Sequence, residues 1–177
     1  MAADEKNGFC CAHVVRKTEN KGLGVFAGEP IKQGSVVWRH VPGAYTVYNE
    51  QTFRAAIDQM VHADVVYELT HVFGLKEFPG CLIRVCDDGV LINHSSNANL
   101  LTNNADAVDT SLDETSFDYT ENVTTALLDV RYALVATRDI EKGEEFTNDY
   151  AVDTVDPPFY EILYKQYGVS ETYLDDD

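Results

Sequence analysis

"LINHSSNANL", residues 91–100, joins an apolar lead to a polar run, and its reading decides the rest of the chain. Asn93, Asn97 and Asn99 fall within seven residues, together with His94, Ser95 and Ser96. Such side chains compete for backbone hydrogen bonds, so the run suits neither a helix nor a regular strand. A surface turn is the plain alternative. Yet Val90, Leu91 and Ile92 in front of it have the character of a buried strand. A polar knot leaving a core strand is placed to hold something.

Outward from this point, the chain carries an internal echo. "VFAGEPIKQGSVV" (25–37) and "LVATRDIEKGEEF" (134–146) align without a gap, matching Ala27 with Ala136, Ile31 with Ile140 and Gly34 with Gly143. Each reads as strand, turn, strand, with a glycine suited to positive φ. Between the echoes, residues 51–74 have helical spacing, placing Phe53, Ile57, Met60 and Val61 on one face. "CLIRVCDDGVLIN" (81–93) reads as a hairpin turning at Asp87, Asp88 and Gly89. Residues 101–124 hold six acidic residues and no Lys or Arg, the pattern of a solvated loop. "TALLDVRYALVAT" (125–137) reads as a strand pair or one bent strand, and "FYEILYKQYG" (159–168) as a short amphipathic helix before an acidic tail.

With 177 residues the chain is long enough for one domain with a real core. The N-terminus lacks a signal-peptide pattern, and no apolar run approaches the roughly 18 residues that span a bilayer. An intracellular protein of the cytoplasm or nucleus is expected, with Cys10, Cys11, Cys81 and Cys86 as free thiols. Net charge is −17, from 30 acidic and 13 basic residues. Such a field repels nucleic acid and anionic membranes and attracts basic partners, although solubility alone also accounts for it. Familiar catalytic signatures are missing: there is no P-loop lysine motif, no G-x-S-x-G and no H-E-x-x-H. The G-x-G of "KGLGVFAG" (21–28) leads into a strand and not a helix, which argues against a dinucleotide site.

Three stretches in order, "KGLGVFA", "NHSSNAN" (93–99) and "EEFTNDY" (144–150), together resemble the glycine, N-H-S-C-x-x-N and E-L-x-x-D-Y motifs of SET-domain lysine methyltransferases. They span about 130 of the 177 residues. The resemblance implies a β-rich α+β fold with short helices, made of small curved sheets with a C-terminal pseudoknot. The SET domain is expected over 13–151, with a variable insert at about 40–90 and the acidic loop at 101–124. An N-terminal tail (1–12) precedes it, and a cap segment with an acidic tail (152–177) follows.

The resemblance also implies S-adenosylmethionine as methyl donor. It places Gly22, Leu23 and Gly24 at the cofactor's amino-acid end, Asn93 and His94 on the cofactor, and Tyr150 at the methyl-transfer site. Methyl transfer to an amine is an in-line displacement that depends on alignment and on a neutral amine. Tyrosine and carbonyl oxygens can hold the polarised methyl by weak C–H···O contacts.

Ser96 stands where many members have cysteine, and no C-x-C-x4-C follows Tyr150. No metal and no zinc-bound cap is therefore expected. Phe159 or Tyr160 is the candidate aromatic plate over the adenine, with simple core packing as the competing reading. Asn148 occupies a position where the family usually has Phe or Tyr, so product number does not carry over.

The implied function is methylation of a protein lysine, in a basic segment of a histone or another protein. A non-catalytic SET-fold interaction module and a small-amine methyltransferase are the alternatives. Oligomeric state is left open.

Overall fold

In the computed structural model, residues 7–103 and 119–169 are described. Most of the expected acidic loop (104–118) and the tail from residue 170 lie outside the described residues.

The two echoing segments pair with each other. Ile31 and Ile140 exchange N–H···O bonds of 2.9 Å each. Ala27 accepts from Gly143 N–H at 2.7 Å and donates to Glu144 O at 2.9 Å. At the matching positions, Gly34 N–H donates to Ala136 O at 2.8 Å and Ala136 N–H to Ser35 O at 2.9 Å. Equivalent residues thus make equivalent bonds about a local two-fold through Ile31 and Ile140. Gly34 (φ 80°) and Gly143 (φ 88°) have the positive φ that their sequence positions predict. The matched apolar residues fill one core: Val25, Ala27, Ile31 and Val37 from the first segment, Ala136, Ile140 and Phe146 from the second, with Ile92 and Leu100 between.

Ten short strands and five helices are described, most of the chain being small sheets and connections. β1 (His13–Lys17) and β2 (Leu23–Ala27) form an antiparallel hairpin. β3 (Val36–Trp38) joins the largest sheet, and β4 (Tyr45–Tyr48) a three-stranded one.

The expected single helical region is two helices, α1 (Glu50–Ile57) and α2 (His62–Leu69). Asn49 starts α1 through a capping box, its Oδ1 accepting from Thr52 N–H at 2.9 Å. Phe53 and Ile57 are buried as expected, but Met60 and Val61 lie in the break and are exposed.

β5 (Val72–Phe73) and β6 (Leu82–Val85) complete the three-stranded sheet in the order β4-β6-β5. The hairpin expected over 81–93 does not form. Asp87 accepts from Gly89 N–H at 2.8 Å, opening a 3-10 turn at Asp88–Leu91. The same carboxylate accepts from Trp38 Nε1 at 3.0 Å and from Gly8 N–H at 2.6 Å. The chain therefore crosses to the other sheet, where β7 (Asn93–His94) lies at one edge.

β8 (Leu100–Thr102) lies in the same sheet. The expected loop ends in α3 (Tyr119–Ala126), where Tyr119, Val123 and Leu127 repeat every fourth residue and enter one core. That period explains why the expected strand over 125–137 begins only at β9 (Leu134–Ala136), after a 3-10 turn at Val130–Tyr132 capped by Asp129.

β10 (Thr147–Asn148) runs parallel to β7 and β8 and lies between them, in the order β3-β9-β8-β10-β7. The C-terminal segment is thus inserted within the loop that the 93–100 stretch makes, which is the expected pseudoknot. Asn99, 2% exposed, holds it there: Asn99 Nδ2 donates to Glu145 O at 2.7 Å, and Asn99 Oδ1 accepts from Thr147 N–H at 3.0 Å.

After α4 (Tyr150–Asp153) the chain bridges back at Thr154 to Leu75. α5 (Pro158–Tyr167), the expected amphipathic helix, ends at Gly168 in the left-handed conformation.

Candidate active site

The β1–β2 turn brings the glycine motif to the site. Thr18 N–H donates to Gly22 O at 2.9 Å, and Lys21 N–H to Thr18 Oγ1 at 2.8 Å. Gly22 takes φ 76° in that turn, which a side chain would strain. Gly24 is required for a different reason. A Cβ there would meet Glu145 Oε1 at 2.5 Å, Thr18 Cγ2 at 2.7 Å and Asn93 Nδ2 at 3.0 Å.

Asn93 ties three elements together. Its Nδ2 donates to Leu23 O at 3.1 Å and to Glu145 Oε1 at 2.7 Å. Both partners are acceptors, which fixes the amide orientation and uses both of its hydrogens. The Oδ1 is what remains to meet a ligand.

His94 pairs with Asn148 across the parallel β7–β10 contact. Its Nδ1 accepts from Tyr150 N–H at 3.2 Å, so the neutral ring carries its proton on Nε2. Asp149 Oδ1 lies 3.8 Å from the same Nδ1 and is no hydrogen-bond partner at that distance. Asp149 instead caps α4, accepting from Ala151 N–H at 3.0 Å. The His94 carbonyl accepts from Lys21 Nζ at 2.8 Å.

Tyr150 opens α4 with its ring 5.4 Å from that of His94. Its hydroxyl donates to Ile92 O, the carbonyl just before Asn93. Burial pushes the Tyr150 pKa up to about 12, so the phenol stays protonated at neutral pH. Two oxygens, a phenol and a backbone carbonyl, thus lie side by side next to the asparagine–histidine pair. Asn148 Oδ1 is buried without a hydrogen-bond partner.

The structure therefore gathers Gly22, Leu23, Gly24, Asn93, His94 and Tyr150 around one junction of β2, β7 and β10. Phe159 and Tyr160 lie elsewhere, in the core with Phe53, Leu69, Val72 and Leu163. Tyr160 is 1% exposed; its hydroxyl hydrogen-bonds Leu69 O, Val72 O (3.1 Å) and Tyr164 Oη (3.0 Å). Sequence reading singled out neither Glu145 nor Lys21, nor the Ile92 carbonyl. Glu145 had a signal, the acidic position of the third motif; a backbone carbonyl has none.

The SET domain family model matches residues 22–151, and the chain belongs to this family. Among solved structures it is similar to the Neurospora SET domain protein DIM-5, a histone lysine methyltransferase, with 21% identity over 84% of this chain and 55% of that one (TM-score 0.50). It is also similar to Chaetomium thermophilum Polycomb Repressive Complex 2 bound to GSK126 (20%; 88% of this chain and 17% of that one; TM-score 0.54). A third is the methyltransferase domain of human histone-lysine N-methyltransferase SETMAR (21%; 83% and 49%; TM-score 0.51). The chain spans about half or less of the length of these relatives, and the likeness concerns the fold. No curated protein sequence matches it. No described helix is long and apolar enough to cross a membrane, and no cluster of metal-binding side chains occurs among the described residues.

Proposed function

We propose that this chain is a methyltransferase that uses S-adenosylmethionine to methylate a lysine of a protein. The observation that carries the reading is the Tyr150 hydroxyl on the Ile92 carbonyl, buried and directly beside Asn93 and His94. Membership of the SET family supports it, as does a related solved structure, ctPRC2, described as bound to S-adenosylmethionine (20% identity, TM-score 0.52).

The residues fit such a cofactor. Gly24 has no Cβ to strike the Glu145 carboxylate and the Asn93 amide, so both pack against β2, and Asn93 offers one carbonyl oxygen with its donors already committed. S-adenosylmethionine, when bound, supplies a methyl group activated by a sulfonium. The oxygens of Tyr150 and Ile92 provide weak C–H···O acceptors for a methyl group in transfer, holding it on line for attack. Protonated at neutral pH, Tyr150 is a positioning donor and not a base. His94, held through Nδ1 by Tyr150 N–H, fixes the strand register. The strong negative charge suits a lysine within a basic protein segment.

The test is incubation with labelled S-adenosylmethionine and a protein extract, with mass spectrometry of the labelled bands. Labelled lysine in a protein is expected, and label confined to small molecules would select the amine reading. Tyr150→Phe should cost about 1–2 kcal/mol of stability, as loss of a buried hydroxyl hydrogen bond does, and lower turnover about tenfold or more, roughly 1.4 kcal/mol in the barrier. Full turnover in that variant would remove Tyr150 from the chemistry. Binding of S-adenosylmethionine without any transfer would favour the interaction module.

A further inference from the structure

Tyr150 is held at its backbone N–H, its phenol and its carbonyl. The N–H donates to His94 Nδ1 at 3.2 Å and the hydroxyl to Ile92 O. The carbonyl oxygen is taken by a different part of the chain. Thr154 N–H donates to it at 3.2 Å, and Thr154 Oγ1 donates as well. Thr154 is fixed in turn by residues 74–76. It forms an antiparallel bridge with Leu75, and Val155 N–H donates to Gly74 O at 3.2 Å. The two segments run so close that a Cβ on Gly74 would overlap the Val155 carbonyl oxygen and meet Pro157 Cδ at 3.1 Å. Leu75, 6% exposed, roots the contact in a core with Phe78 and Tyr132. Lys76 lies at the surface, and its Nζ donates to Val152 O, within the single turn of α4.

We propose that Thr154 and Lys76 are positioning residues for Tyr150, clamping α4 at its C-terminal end so that the phenol stays on the Ile92 carbonyl. The inference rests on the methyltransferase reading above and extends it to two side chains that act through Tyr150 and not on the reacting atoms. One helical turn does not hold itself, because it fixes several residues for a single hydrogen bond. α4 therefore depends on partners outside it. A lysine is suited to the end where helix carbonyls are left unsatisfied, since these carry partial negative charge. Thr154 supplies two donors to the carbonyl of the very residue whose hydroxyl faces the site. Transfer depends on the alignment of that hydroxyl, and small displacements of it are costly.

The experiment follows methyl transfer from labelled S-adenosylmethionine into a protein extract by the full chain and its variants. Thr154→Val should lower the rate at saturating cofactor about fivefold and leave the half-saturating cofactor concentration within about twofold, with Thr154→Ser restoring the rate. Lys76→Met should lower the rate about threefold, and Lys76→Arg should restore it. In a Tyr150→Phe background neither substitution should lower the rate further, because the oxygen they position is gone. Equal fold losses in both backgrounds would mean that the two residues act on the fold and not through Tyr150, and would overturn the proposal. Full rates in both single variants would overturn it as well. Amide hydrogen exchange read by NMR needs no turnover: the Tyr150 and Ala151 amides should exchange faster in Thr154→Val, with the Thr147 amide unchanged. Unchanged exchange at Tyr150 would also overturn the proposal. Absence of transfer by wild type would overturn the methyltransferase reading instead, and exchange at Tyr150 would still decide the clamp.

Discussion

Val25, Ala27, Ile31, Ala136, Ile140 and Phe146 lie beneath the candidate site, in a core set by reciprocal backbone bonds between two like segments. Phe53, Leu69, Phe159, Tyr160 and Leu163 form a second core, where α1, α2 and α5 meet. Few strand bonds guide that second core; it is held by aromatic and aliphatic packing, with the Tyr160 hydroxyl bonded to the end of α2. The first core fixes where Asn93, Glu145 and Tyr150 stand to within a hydrogen bond. The second anchors the chain that follows Tyr150. Position and anchorage are separate tasks, and the two cores should respond differently to mutation.

The largest expected effect falls in the second core. Tyr160→Ala should cost about 3–5 kcal/mol of stability in denaturant unfolding. Tyr160→Phe, which removes only the buried hydroxyl, should cost about 1–2 kcal/mol with cofactor affinity unchanged. The comparison breaks if Tyr160→Phe weakens S-adenosylmethionine binding while its melting curve matches wild type, because the ring would then be the adenine plate.

Acid should distinguish a third position from both. His40 is 6% exposed between the rings of Trp38 and Tyr45, and neither of its nitrogens makes a well-formed hydrogen bond, the Tyr132 backbone being the nearest polar group to bear on it. Burial lowers its pKa from 6.5 to about 4, against a smaller opposing pull from the Tyr132 backbone. The folded value lies below the unfolded one, so between these pH values the unfolded chain binds more protons. The stabilisation is complete above pH 6.5 and drains as pH falls towards 4, on the order of 3 kcal/mol in all. Melting curves of wild type and His40→Phe from pH 7 to 4 check this. A difference between them that does not change with pH would mean that His40 is not the titrating group.

A smaller effect belongs to the first core's edge. Asn93→Ala should weaken S-adenosylmethionine binding by roughly 1–3 kcal/mol, since Glu145 loses a buried donor and the ligand an acceptor. Thermal stability should move less than after Tyr160→Ala. A wild-type affinity measured by calorimetry in the variant would take Asn93 out of the site and leave it a structural tie.

Much of the first core was legible because its signals are local or repeated. The matched Ala27/Ala136, Ile31/Ile140 and Gly34/Gly143 announced two like devices, and the three motifs around Gly24, Asn93 and Tyr150 announced one site. That the two devices pair about a local two-fold was not legible, since nothing in a one-dimensional pattern says which strands become partners. The apolar run at 125–137 misled for a related reason. Leu127 completes a helical face begun at Tyr119, upstream of where the strand pattern starts.

The opening stretch shows the division. By itself the sequence determined that 91–100 turns polar and escapes long regular structure, because residue types limit backbone hydrogen bonding locally. The buried strand expected at residues 90–92 is instead the end of a 3-10 turn, with only Ile92 buried. Only the tertiary structure decided what each asparagine does. Asn99 clamps the inserted strand through Glu145 O and Thr147 N–H, and Asn93 joins the glycine turn to the Glu145 carboxylate. Those partners are 46 to 70 residues away along the chain; the insertion of β10 between β7 and β8 brings up Glu145 and Thr147, and the β1–β2 hairpin brings up Leu23. The Ile92 carbonyl is decided in the same way, since a backbone oxygen has no identity in sequence until Tyr150 is folded against it.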